Sequence, residues 1–161
     1  MYCEATDEGR DMIVGFTGTR HGCTKLQVGF LELILREKLA APGSVLHQGC
    51  CVGADAQAVA ITRRLFGGAV TIVGHPGNWA PLTDKDAVAT SHPIHPCRPP
   101  LDRNRTIVDE CEVLVACPAG PEVTRSGTWS TIRYARRSGK PVVIIYPDGS
   151  VEYGNAREES G

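Results

Sequence analysis

Residues 12–20 read MIVGFTGTR: a short apolar run broken by one glycine, a Gly-Thr-Arg turn, and then a helical pattern carrying Leu26, Phe30, Leu33 and Ile34. An apolar run that stops at turn formers and passes into helical spacing predicts strand, tight turn and helix. The same unit returns. Residues 44–47 make a second short strand and QGCCVG at 48–53 a glycine-bearing loop. The helix after it sets Ala54, Ala58, Ile61 and Leu65 on one face.

The alternation continues to the C-terminal region. Residues 69–73 predict a third strand, stopped by GHPGN at 74–78. Between 79 and 100 stand Pro81, Pro93, Pro96, Pro99 and Pro100, which predict a surface excursion with at most one short strand near Ile94. Helices at 101–110 and 127–138, the second ended by Gly139, flank a buried strand at 113–117, and a last strand covers 142–146. Strands alternating with helices imply an α/β protein, a Rossmann-like three-layer sandwich with a mostly parallel sheet and helices on both faces. We expect one domain over 12–147, an N-terminal tail over 1–11 and a polar, frayed C-terminal tail over 148–161. A chain of 161 residues suits that organisation.

Composition narrows the function. The apolar share of 42% and charged share of 22% are those of an ordinary globular protein. No stretch approaches the roughly 18 unbroken apolar residues of a membrane span, and the acidic start lacks the parts of a signal peptide. A cytoplasmic protein without a membrane partner is expected. Seven cysteines, an odd number with Cys50 and Cys51 adjacent, read as reduced thiols. A net charge of -1 argues against clamping a nucleic-acid backbone over the whole surface. Residues 98–140, however, hold eight basic side chains against five acidic ones, so this half can offer an anion site.

Three glycine-bearing loops, 15–20, 49–55 and 119–128, follow strands and precede helices, and should open on the carboxyl edge of the sheet. Backbone N–H groups freed by glycine, with a helix N-terminus behind them, attract phosphate. Thr17, Thr19, Ser126 and Thr128 add hydroxyls. For each loop alone the plain alternative is a tight turn, and none matches GxGxxG or GxxxxGK[ST]. Arg103 and Arg105 begin a helix, where arginine can fork onto a phosphate; the alternative is a solvated face with Asp102.

GFTGTR at 15–20, HQGCCVGAD at 47–55, RNRTIVDECEVLVACP at 103–118 and RSGTWSTIRYARRSGKPVVII at 125–145 together resemble the SLOG superfamily. That group includes the LOG phosphoribohydrolases, the Rossmann domain of DNA-processing protein A, and small stand-alone YpsA-like members. The resemblance implies a Rossmann-like fold that binds nucleotides or related ligands, and a homodimer. LOG enzymes cleave the N-glycosidic bond of a nucleoside monophosphate with an arginine, which Arg103 matches, and the glutamate of PGGxGTxxE. Here the second motif departs. Pro118-Ala119-Gly120-Pro121 is followed by an insertion and then by Gly127-Thr128-Trp129-Ser130-Thr131, which puts Thr131 where the glutamate stands.

A threonine hydroxyl with no adjacent base neither activates water nor stabilises an oxocarbenium centre, so binding is favoured over hydrolysis. The leading expectation is a nucleotide or nucleotide-derivative binder. Gly18, Thr19, Arg20, Ser126, Gly127, Thr128, Arg103 and Arg105 would serve the phosphate side. Gly53, Asp55 and Asn78 would lie near sugar or base, with Gly49 and Ala54 as further ligand contacts. The alternative is a nucleoside-monophosphate N-glycosidase, a hydrolase with Arg103, Glu122 and Asp55 as its catalytic set. Third comes a single-stranded DNA-binding protein, which near-neutral charge and few aromatics suit less well.

Rival chemistry is weaker. His92, His95 and Cys97 are possible zinc ligands at an unspecific spacing, and neither a metal nor a cofactor is expected. Cys50 or Cys51, ahead of a helix N-terminus, is a conceivable reactive thiol but reads better as packing. Trp129 either stacks on a base or packs on the sheet, and His75 is a second candidate for a ribose contact.

Overall fold

The computed structural model describes residues 9–154; of the expected tails over 1–11 and 148–161, residues 1–8 and 155–161 lie outside the described residues. Strands β1 (Ile13–Gly18), β2 (Val45–Gln48), β3 (Thr71–Gly74), β4 (Val113–Cys117), β5 (Val142–Ile145) and β6 (Val151–Gly154) form one sheet in the order β3-β2-β1-β4-β5-β6. All neighbouring pairs are parallel except β5 with β6. The helices are α1 (Lys25–Lys38), α2 (Ala54–Phe66), α3 (Lys85–Thr90), α4 (Pro100–Glu110) and α5 (Gly127–Arg137).

Period-two alternation in the strands feeds two separate cores. Val14, Phe16, Leu46, Val115 and Ile145 pack with Leu31, Leu35, Ala58 and Ile61 of α1 and α2 on one face. Leu114, Ala116 and Ile144 pack with Val108 of α4 and Trp129 and Ile132 of α5 on the other. Gly15 points to that second face because a Cβ there would come within 3.1 Å of Cys111 and Ile107, so the glycine in the opening strand lets α4 approach. The architecture is the expected Rossmann-like three-layer sandwich.

Three local expectations change. In α1, Ile34 is buried, but Leu26, Phe30 and Leu33 are exposed, and the inward face carries Gln27, Leu31 and Leu35. Gln27 is 1% exposed because its amide donates to the carbonyls of Pro118 and Ile145 while its oxygen caps Thr24 N–H. The proline-rich excursion is not irregular throughout: it contains a 3-10 turn at Ala80–Leu82 and α3, started by Asp84, whose carboxylate accepts from Ala87 N–H. Its later part runs along β3 through a parallel bridge from Gly74 to Ile94. Finally, residues 151–154, assigned to a frayed tail, turn back at Gly149 (φ 87°) and pair as β6 on β5.

Candidate ligand-binding site

β1 sends its crossover through α1 to β2 on one side, while β4 flanks it on the other, so the chain reverses direction of winding between β1 and β4. Such a switch point leaves a crevice outside the carboxyl ends of the strands. A cavity of about 760 Å³ lies there, within the range that accommodates small ligands. Its lining draws on all three glycine-bearing loops: Thr17 to Arg20 at the carboxyl end of β1, Cys51 and Asp55 after β2, and the 119–128 segment after β4.

Close packing sets the floor of the cavity. A Cβ on Gly18 would meet the Cβ of Ala54 at 2.5 Å, so this glycine brings β1 against the start of α2. Gly53 takes φ 87° and lies so near the Arg20 carbonyl that a Cβ would sit 2.4 Å from its oxygen. Gly49 leaves room for Arg103, whose Nη1 would be 2.3 Å from an added Cβ. Arg103 is 9% exposed, and Nη1 donates to the carbonyls of Gly49 at 2.6 Å and His75 at 3.0 Å. It therefore joins α4 to the ends of β2 and β3 while lining the cavity.

Asp55 faces the same space from the first turn of α2 and is 6% exposed. Its Oδ2 accepts from Cys51 N–H at 3.2 Å, whereas Oδ1 is buried with no hydrogen-bond partner. Burial pushes the carboxyl up to about 6, against the opposing pull of the Arg103 guanidinium and the Cys51 and Gly49 backbone. An unsatisfied buried oxygen is unfavourable by about 1–3 kcal/mol, and a donor from a ligand would satisfy it. Asp55 is the one carboxylate among the lining residues.

Across the cavity, Ser126 caps α5 by accepting from Trp129 N–H at 3.1 Å, leaving the other first-turn N–H groups at Gly127 and Thr128 for an anion. Arg125 also lines this wall, and Trp79 and Leu82 of the excursion contribute apolar surface. Trp79 is 54% exposed. Trp129 touches the cavity but belongs mainly to the core, with its indole N–H donating to Gly120.

The predicted residues divide. Gly18, Thr19, Arg20, Asp55, Arg103, Ser126, Gly127 and Thr128 line the cavity, and Gly49, Gly53 and Ala54 shape the packing behind it. Asn78, Arg105 and Glu122 do not line it. Asn78 is exposed. Arg105 lies 5.5 Å over the ring of Tyr134. Glu122 pairs with Arg133 at 2.8 Å on the surface. Thr131 is buried, and its hydroxyl donates back to the Gly127 carbonyl within α5. Arg125, Asn104 and Trp79 were not singled out as ligand contacts; only the basic excess of residues 98–140 hinted at Arg125.

Neither thiol of the β2 loop is driven toward the thiolate. Cys50 is fully buried, and burial pushes both Cys50 and Cys51 up, away from thiolate character. Cys50 is also the one described non-glycine residue at positive φ, held by Gln48, whose oxygen accepts from Cys50 N–H at 2.7 Å. No helix among the described residues is long and apolar enough to cross a membrane.

No family model and no curated protein matches the chain. Solved structures do. The molybdenum cofactor binding protein from the phototrophic bacterium Rippkaea orientalis is similar with a TM-score of 0.61 and 21% identity, over 85% of this chain and 77% of that one. The molybdenum cofactor carrier protein of Chlamydomonas reinhardtii is similar with a TM-score of 0.56 and 20% identity, over 84% and 76% of the two chains. At these identities the likeness is one of fold, and it agrees with the Rossmann-like sandwich described above.

Proposed function

We propose that this chain is a small-ligand-binding protein of the SLOG type that holds the phosphate of a nucleotide or nucleotide-like cofactor at the carboxyl edge of its sheet. The observation that carries the reading is the convergence of three glycine-bearing loops, the N-terminus of α5 and the guanidinium groups of Arg20, Arg103 and Arg125 on one cavity of about 760 Å³. Phosphate would sit against Gly18, Arg103 and the first turn of α5, with the orphaned Oδ1 of Asp55 accepting a hydroxyl or amino group of the ligand. Trp79 offers a face for a flat ring.

The neighbours in fold give a second ligand class, since both are described as binding or carrying the molybdenum cofactor. Hydrolysis ranks below binding. With Thr131 turned into its own helix and Glu122 paired on the surface, an N-glycosidase would have to rely on Asp55 alone for its carboxylate. A cytoplasmic location and a homodimer complete the proposal. The dimer would use the exposed Leu26, Phe30 and Leu33 of α1, and sedimentation tests it.

A thermal-shift screen against nucleoside mono-, di- and triphosphates, ADP-ribose-like compounds, cyclic dinucleotides and molybdenum cofactor tests the reading, with each mixture then chromatographed. A ligand that raises Tm and stays intact supports the binder. Released base makes the protein a hydrolase. No shift with any compound overturns small-ligand binding and leaves single-stranded DNA as the next candidate.

A further inference from the structure

A second polar cluster lies beside the cavity and takes no part in it. His47 stands within β2, opposite Gly15 and Val73 of the neighbouring strands. His75 follows β3, fixed by its N–H donating to Gln48 at 2.8 Å. Glu110 ends α4, and His95 comes from the excursion with its N–H on the Gly74 carbonyl at 2.9 Å. Four segments remote in sequence thus bring three imidazoles and one carboxylate together. Nδ1 of His47 and Nε2 of His75 are 2.8 Å apart, and Oε1 of Glu110 lies 3.5 Å from the first and 3.9 Å from the second. His95 stacks on His75 at 4.1 Å, with its Nε2 3.9 Å from the same carboxylate oxygen.

We propose that His47 Nδ1, His75 Nε2 and Glu110 Oε1 form a binding site for a divalent metal ion of the zinc type. Tetrahedral zinc with bonds of about 2.0–2.1 Å spaces its ligand atoms about 3.3–3.4 Å apart. The three separations of 2.8, 3.5 and 3.9 Å straddle that value, so sub-ångström adjustment brings all three atoms to one ion. Two histidines and one glutamate are also a donor set that zinc uses when a fourth position stays open. Water would take that position.

The environment agrees. Two imidazole nitrogens at 2.8 Å need one proton between them; a metal ion would replace it, and the proton would move to the other nitrogen of the same ring. Glu110 supplies negative charge against the nearby Arg98 and Arg103 and, with its side chain 40% exposed, gives the ion a way in from solvent. From the sequence, His92, His95 and Cys97 are metal candidates only at an unspecific spacing, and no metal is expected; among the described residues, the one group of metal-donor side chains that converges is His47, His75 and Glu110.

The test uses the full chain, freed of metal by chelator and titrated with Zn²⁺ and separately with Co²⁺, with bound metal measured after gel filtration. One equivalent bound, a Co²⁺ spectrum of tetrahedral nitrogen and oxygen ligation, and a loss of affinity of at least about tenfold in Glu110→Gln are expected, the loss of a mere supporting residue setting that floor. His75→Ala should lose more, and His92→Ala should match the parent. Glu110→Gln changes an exposed carboxylate, so it decides the matter if the buried-histidine variant does not fold. Failure to bind metal stoichiometrically, affinity unchanged in Glu110→Gln, or a Co²⁺ spectrum dominated by thiolate charge transfer would overturn the proposal. The last result would move the metal to cysteines. None of these outcomes depends on the ligand of the cavity.

Discussion

The two walls of the cavity are built in opposite ways. The wall after β2 is buried: Gln48, Gly49, Cys50 and Asp55 lie inside, Arg103 ties them to α4, and Gly53 is pressed against the β1 loop. The wall after β4 is an exposed arm, with residues 121–125 in solvent, held by Trp129 on Gly120 and by Arg133 on Glu122, Val123 and Thr124. One wall is ordered by packing and buried hydrogen bonds, the other by a few surface bonds.

The comparison can be broken from either side. Gly53→Ala should have the largest effect, because φ 87° with ψ -125° is a glycine region and the new Cβ would meet the rigid Arg20 carbonyl. We expect a loss of about 3–4 kcal/mol in urea unfolding. A loss below about 1 kcal/mol would show that the buried wall yields.

Asp55 gives the next effect through pH. Its carboxyl is raised from 3.8 unfolded to about 6 folded. The folded chain therefore binds more protons between those values. Its stabilising contribution is complete below pH 4 and is lost as pH rises through 6, by up to about 3 kcal/mol. Asp55→Asn should flatten this slope relative to the parent across pH 4–7 in parallel denaturation series. An unchanged slope would mean that Asp55 is ionised throughout.

The arm responds less. Trp129→Phe keeps the aromatic bulk but removes the indole bond to Gly120, which should lower stability by about 1 kcal/mol and speed hydrogen exchange across residues 119–126. Glu122→Gln breaks only an exposed pair, so we expect about 0.5 kcal/mol or less and an unaltered ligand shift. A lost ligand shift in Glu122→Gln would return that glutamate to the site.

The contrast also explains what the sequence disclosed. Strand–loop–helix units were legible because apolar period and glycine position are local, and β4 falls on the predicted residues, 113–117. The carboxyl edge followed from alternation alone. Arg125 was obscured because the inserted arm has no period, so nothing fixes which side chain turns inward. β6 was missed because VEYG reads as a polar tail and gains its order only by pairing with β5. Leu26, Phe30 and Leu33 suggest an inward stripe, yet Gln27 takes the buried place because carbonyls of two other segments wait for its amide. The His47, His75 and Glu110 cluster arises from register and crossover, which no local pattern reports.

The most direct measurement is calorimetric titration of the tightest ligand from the screen into the parent, Arg125→Ala and Arg105→Ala. Both arginines are exposed, so both variants should fold, but only Arg125 lines the cavity. Phosphate held there predicts at least about tenfold weaker binding for Arg125→Ala, the range of a charge-assisted bond, and parent-like binding for Arg105→Ala. Equal loss in both, or loss only in Arg105→Ala, would contradict phosphate binding at the β1–β4 switch point.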